Sequence, residues 1–145
     1  MECFVENLHH AAGVMGGIGV RVVTEPINCR AQPNFLISTT AEALQAIDWA
    51  GHENLALQYD LYHAQIMEGD LIQTLEANLA RIGHIQFADV PGRHEPGTGE
   101  IHFSNLFEAL DRMGYKGWVG AEYIPSGETG ESLFWLNPHK QAQLV

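Results

Sequence analysis

The apolar residues of this chain change their spacing repeatedly, from the short runs of strands to the three-and-four rhythm of helices, and each change falls near a turn residue. Short β-branched or aromatic stretches at 20–24, 55–59, 84–88 and 118–121 predict four buried parallel strands. Helical segments lie between them. Thr39 with Glu42 makes a capping box ahead of Ala43, Leu44 and Ile47, and Gly51 supplies a left-handed stop. Asp70 is the expected cap of a second helix, whose stripe Ile72, Leu75, Leu79 and Ile82 runs up to Gly83. Ser104 is the expected cap of a third, with Leu106, Phe107, Leu110 and Met113 on one side and Gly114 at its end.

Alternating βα units of about 30 residues imply an α/β fold with a parallel sheet and right-handed crossovers, either doubly wound or closed as a (βα)8 barrel. Periodicity does not separate the two. No Gly-x-Gly-x-x-Gly or phosphate-loop sequence follows the first strand, so a nucleotide-binding open sheet has no support. Residues 2–12 read as a helix with Phe4, Val5, Leu8 and Ala12 on one side, yet Met1 opens it with no cap, strand or turn before it. A full barrel has eight units in about 250 residues. The expectation is therefore one partial domain over residues 1–145: four units plus the tail of a helix from a fifth, with something missing upstream.

Composition narrows the function. With 46% hydrophobic and 17% charged residues over 145 positions, the chain can bury a core and is not expected to be disordered. Its net charge of −11, from 18 acidic and 7 basic residues, argues against nucleic acid and anionic membrane partners, which need clustered Lys and Arg. No apolar run approaches the roughly 20 residues of a membrane span, and the start, Met1-Glu2-Cys3-Phe4, lacks a charged n-region followed by an apolar stretch, so no signal peptide is expected. A soluble cytoplasmic protein is the expectation. Cys3 and Cys29 form no Cys-x-x-Cys pair, and the eight histidines, including the adjacent His9 and His10, show no zinc spacing.

The chemistry concentrates at strand ends. Glu25 follows the first strand, Asp60 the second, Gln86 lies near the end of the third, and Glu122 follows the fourth. In parallel α/β folds the carboxyl ends of strands line the active site. Side chains two apart share a face, which groups Val23 with Glu25, Gln58 with Asp60, His84 with Gln86 and Gly120 with Glu122. Three carboxylates and one amide oxygen form an oxygen-only set suited to Mg²⁺ or Mn²⁺. Taken singly, each acid has the alternative of capping the next helix or facing solvent. His84 is read as a satisfied polar residue of the interior.

Of the seven basic residues only Arg30 and Arg93 fall in loops after strands, and Arg93 is the better candidate. Its planar fork can grip a carboxylate, and neighbouring Pro and Gly stiffen its loop. An ion pair with Glu95 or Asp89 is the alternative. Those two acids are read as loop-ordering residues. His63, on its residue type alone, is read as a satisfied polar side chain.

The segments Glu25-Pro26-Ile27-Asn28, Gln58-Tyr59-Asp60-Leu61-Tyr62-His63, Gly83-His84-Ile85-Gln86 and Gly114-Tyr115-Lys116-Gly117-Trp118 through Glu122-Tyr123 resemble the hydroxypyruvate isomerase family. So does the loop Ala88-Asp89-Val90-Pro91-Gly92-Arg93-His94-Glu95-Pro96-Gly97, and the resemblance runs from about residue 2 to 136. It implies the C-terminal half of a xylose isomerase-like TIM barrel, with Glu25, Asp60, Gln86 and Glu122 holding a divalent metal. It also implies that His63 contacts substrate. Related sugar epimerases carry histidine where this chain has Gln86, which favours the hydroxypyruvate branch.

The activity so implied is an intramolecular oxidoreductase that interconverts hydroxypyruvate and tartronate semialdehyde through an enediolate, with Glu25 and Glu122 as the acid/base pair. Two alternatives stay open: a 2-oxo-tetronate isomerase of the same family, and a catalytically inert half-barrel. Four units leave two sheet edges and an interior face, so association through those edges, including a homo-oligomer, is a further expectation. A nuclease on the same barrel ranks below these because of the acidity.

Overall fold

In the computed structural model, which describes residues 1–136, local sequence rules account for most element ends. Lys140 and the last stretch of the proposed domain lie outside those residues. The first helix, α1 (Glu2–Gly16), is longer than the expected 2–12 and buries Leu8 and Ala12. It leads into strand β1 (Val22–Thr24). Helix α2 (Thr40–Ala50) carries the capping box: Thr39 Oγ1 accepts from the Glu42 backbone N–H and Glu42 Oε2 accepts from that of Thr39, while Gly51 closes the helix at φ 61°.

Strand β2 (Leu55–Asp60) is followed at once by helix α3 (Leu61–Met67), which the sequence reading had not separated. Helix α4 (Leu71–Asn78) starts at the expected place, but Asp70 adopts φ 46° and its side chain makes no capping bond. The apolar stripe does not stay helical. Residues Leu79–Arg81 tighten into a 3₁₀ turn and Ile82 already belongs to strand β3 (Ile82–Phe87). Helix α5 (Phe103–Met113) is capped by His102, whose Nδ1 accepts from the Asn105 N–H at 3.2 Å, and not by Ser104. A histidine ring nitrogen can fill this role as a hydroxyl does, so the cap falls two residues earlier than expected. Strand β4 (Val119–Ala121) and a 3₁₀ segment (Glu131–Leu136) complete the order.

The strands form one parallel sheet ordered β1-β2-β3-β4, the arrangement of consecutive βα units. Leu55, Leu57 and Tyr59 point to the helix side and join the core with Leu75, Phe87, Leu106 and others. Gln58 and Asp60 take the opposite face by alternation. A bulge sets the parity of β3: Leu57 pairs with Ile82 but Gln58 pairs with His84, so Gly83 is the extra residue. Ile82 and Ile85 can then both enter the helix-side core while His84 and Gln86 face the interior. The helical stripe expected from the sequence runs up to Gly83, but this residue does not follow a helix. It is instead a bulge glycine, where an added Cβ would lie 2.8 Å from Ala56 Cβ and 3.1 Å from Val23 Cγ1.

Candidate metal and substrate site

Register brings the strand ends together. Asp60 pairs with Gln86 and Gln86 with Gly120, so Glu122 follows two residues later on the same face. Gln58 Nε2 donates to Glu25 Oε2 at 2.7 Å and also to Gln86 Oε1, joining three adjacent strands through one amide.

Asp60 has two jobs at once. Its Oδ1 accepts from the Tyr62 N–H at 2.8 Å and so caps α3, which is the helix-capping alternative raised by the sequence. Its Oδ2 is buried and has no hydrogen-bond partner. Glu25 Oε1 and His63 Nε2 are in the same state. His63 Nε2 lies 3.8 Å from Glu25 Oε1 and 3.7 Å from Asp60 Oδ2, and one donor atom from each of the three residues falls within 4.8 Å of the others. Buried polar atoms in folded proteins are almost always satisfied, so three unpartnered atoms facing one another fit a site that binds a cation or a polar ligand.

Glu122 joins from the side. Arg93 Nη2 lies 2.6 Å from Glu122 Oε2 and 3.8 Å from Asp60 Oδ2, and its Cζ stacks 5.1 Å from the Tyr62 ring centroid. The alternative, an ion pair with Glu95 or Asp89, does not form, because both acids are engaged elsewhere. Asp89 accepts from the backbone N–H groups of Val90, Ile101, Gly97 and Gly99 at 2.8–3.1 Å. Glu95 holds Ser126 through its backbone N–H at 3.0 Å and its hydroxyl at 2.5 Å. The loop is thereby fastened to the segment after β4, and Arg93 is presented from it at φ 56°. Arg30 is exposed in the loop after β1.

Electrostatics follow from this crowding. Burial, then the charges of Asp60 and Glu122, push the Glu25 carboxyl up to about 7, despite the Gln58 bond and Arg93. Burial raises Asp60 to about 6 against its own backbone hydrogen bonds and Arg93. Burial and the Arg93 charge lower His63 to about 4, so its ring stays neutral near pH 7. A dication would reverse the penalty on both carboxylates.

The Glu25, Asp60, Gln86 and Glu122 set therefore gathers in one region, with Glu25 and Asp60 in the tightest group, Gln86 reached through Gln58, and Glu122 through Arg93. Gln58, Tyr62 and Asn28 are the participants that sequence reasoning had not assigned. Parity had placed Gln58 on the correct face, but nothing local marks an amide as a bridge.

The family model for the xylose isomerase-like TIM barrel matches residues 1–139. The chain belongs to the xylose isomerase-like TIM barrel family. Among curated members, a 2-oxo-tetronate isomerase from Cupriavidus necator is 43% identical over 136 residues, covering 94% of this chain and 52% of that protein. A hydroxypyruvate isomerase from Escherichia coli is 44% identical over 136 residues, covering 94% and 53%. A crystal structure from Brucella melitensis, described as an AP endonuclease of family 2, superposes with a TM-score of 0.91 at 43% identity, over 95% of this chain and 54% of that one. The chain thus spans about half the length of the curated relatives it matches. Among the described residues no helix is long and apolar enough to cross a membrane.

Proposed function

We propose that this chain carries the metal and acid/base end of an isomerase acting on a small hydroxy-carbonyl acid, with hydroxypyruvate and tartronate semialdehyde as the interconverted pair. The observation that carries the reading is the pair of buried, unpartnered carboxylate oxygens, Glu25 Oε1 and Asp60 Oδ2, at the ends of adjacent strands. Glu25 and Asp60, with Gln86 and Glu122 beside them, would hold Mg²⁺ or Mn²⁺, since oxygen donors suit hard cations. When bound, the ion supplies positive charge that polarises the substrate's carbonyl and hydroxyl oxygens.

The residues divide the remaining work. Glu25 takes a proton from the carbon beside the carbonyl, and Glu122, on the far side of Arg93, returns one to the former carbonyl carbon. The hydroxyl proton changes oxygen in the same exchange, so the acid is neither oxidised nor reduced overall. Arg93 retains N–H groups beyond its bond to Glu122 and grips the substrate carboxylate. His63 faces the same space and contacts a substrate oxygen. The net charge of −11 runs against a nucleic acid substrate.

Two names among the relatives, hydroxypyruvate isomerase and 2-oxo-tetronate isomerase, differ in the acid and share this chemistry. A panel of both acids, assayed with Mg²⁺ and Mn²⁺, separates them. No turnover of either, in a preparation that binds the ion, leaves the inert half-barrel as the correct description.

Association is favoured by a separate observation. Among the described residues β1 and β4 are the sheet's two edges, and a cavity of about 460 Å³ beside β1 is lined by Phe4, Leu8, Phe35 and Ile37 as well as Glu25. A second copy could meet those edges and continue the sheet. Solution mass measurement tests this, and a well-folded monomer at all concentrations excludes it.

A further inference from the structure

Asn28 lies fully buried in the loop after β1, and its hydrogen bonds orient its side chain. Its Oδ1 accepts from the Ala31 N–H at 2.7 Å, which turns its amide N–H₂ the other way, to within 2.6 Å of His63 Nδ1. The backbone N–H of Asn28 donates to that same ring nitrogen at 3.1 Å. A ring nitrogen that receives two N–H donors presents its lone pair to them and carries no proton. The proton of the neutral imidazole is then on Nε2, the atom that faces Glu25 and Asp60. A histidine that ligates a metal does the reverse: its lone pair faces the ion and its other N–H is donated away.

We propose that Asn28 is a positioning residue that fixes His63 in the Nε2–H tautomer, so that His63 serves this site as a hydrogen-bond donor to oxygen and not as a metal ligand. The three atoms grouped within 4.8 Å are then two ligands and one donor. That half of the inference rests on the proposed cation at Glu25 and Asp60. The atoms that would hold the ion then include no nitrogen, and the Nε2–H is directed at the space beside Glu25 Oε1 and Asp60 Oδ2, where it would donate to an oxygen. Asn28 supplies this through two separate groups, so backbone and side chain agree on one tautomer.

Nitrogen NMR of the ¹⁵N-labelled full chain reads the tautomer directly, with His63 assigned by the signals lost in His63→Gln. The expected pattern is an unprotonated, pyridine-type shift at Nδ1 and a protonated, pyrrole-type shift at Nε2, with and without Mg²⁺. The opposite pattern overturns the proposal. In Asn28→Asp a carboxylate faces Nδ1 and draws the proton toward it, so the Nδ1 signal moves to the protonated type. An Nδ1 signal unchanged in a folded Asn28→Asp protein removes the side chain from the role. Mg²⁺ titration completes the test: His63→Gln still binds the ion, with a loss no greater than the roughly 10–100-fold typical of an outer-shell partner, whereas a loss beyond that makes His63 a ligand. If the parent chain binds no Mg²⁺, the cation reading fails, and the nitrogen spectra still decide what Asn28 does.

Discussion

Arg93 Nη2 and Glu122 Oε2 lie 2.6 Å apart, a contact that ties the loop after β3 to the end of β4 and puts the one half-buried guanidinium of the site beside its most exposed acid. Both ends of the contact are braced: the Ile124 N–H donates to the Arg93 carbonyl at 2.8 Å, the His94 side chain donates from Nδ1 to the Ile124 carbonyl at 2.7 Å, and the Glu122 N–H donates to the Phe87 carbonyl at 2.9 Å. The charge is therefore presented on a braced loop, and its geometry does not depend on the long side chain alone.

Arg93→Lys keeps the charge but loses the planar fork. If Arg93 grips the substrate carboxylate, KM should rise about 10–100-fold, the value of one charge-assisted hydrogen bond, with kcat changed less. Steady-state kinetics of the acid checks this. An unchanged KM would remove Arg93 from carboxylate recognition.

Glu25 gives a stability prediction whose sign follows from its raised pKa. Its carboxyl titrates near 4.5 unfolded and about 7 folded, so the folded state holds the proton more tightly. The stability it contributes is full below pH 4.5 and is lost as pH rises through about 7. Metal-free protein should thus melt at a lower temperature at pH 8 than at pH 5 on this account, and Glu25→Gln should flatten that difference. Mn²⁺ at pH 8 should raise the parent's melting temperature and have little effect on the variant. Melting curves at the two pH values, with and without the ion, read all four states.

Asp60→Ala removes both the α3 cap and a proposed ligand oxygen. Loss of the cap should cost about 1 kcal/mol, partly offset because a desolvated carboxylate is also removed. Mn²⁺ affinity should fall by far more than the stability does. Calorimetric titration against a denaturation curve separates the two, and equal affinity after the change would contradict the ligand assignment.

Asp89 accepts four backbone N–H groups, and Asp89→Asn would turn an N–H₂ toward donors. The expected loss is about 3 kcal/mol, from several charged-acceptor bonds and a new buried mismatch. Urea denaturation measures it.

What the sequence made legible was whatever its short-range rules encode. The Thr39–Glu42 capping box and the Gly51 and Gly114 stops stand where the pattern put them, because each depends only on residues within a turn. The four strand-end oxygens were legible for a related reason: alternation and parallel order are enough to bring them to one end. The α4 stripe misled because Leu79 and Ile82 keep helical spacing while the backbone has already left the helix, and a core shared by helix and sheet accepts either. Asp60 was ambiguous in principle, since a carboxylate has two oxygens and uses one for each role. Asn28 to His63 spans 35 residues and involves a backbone N–H, which no sequence pattern marks.

Gly83 provides a test of how the interior face is set. A methyl at this position meets Ala56 Cβ at 2.8 Å and Val23 Cγ1 at 3.1 Å, and neither is the end of a flexible chain. Gly83→Ala should therefore destabilise by about 1–3 kcal/mol through overpacking. It should also disturb the bulge that turns Gln86 toward Gln58. Removing the opposing methyl in the double variant Gly83→Ala, Ala56→Gly should recover part of the loss. The strand propensity lost at position 56 limits that recovery. A single variant as stable as the parent would show that β3 relaxes away from β2 freely, and the bulge would then not be what holds Gln86 in the site.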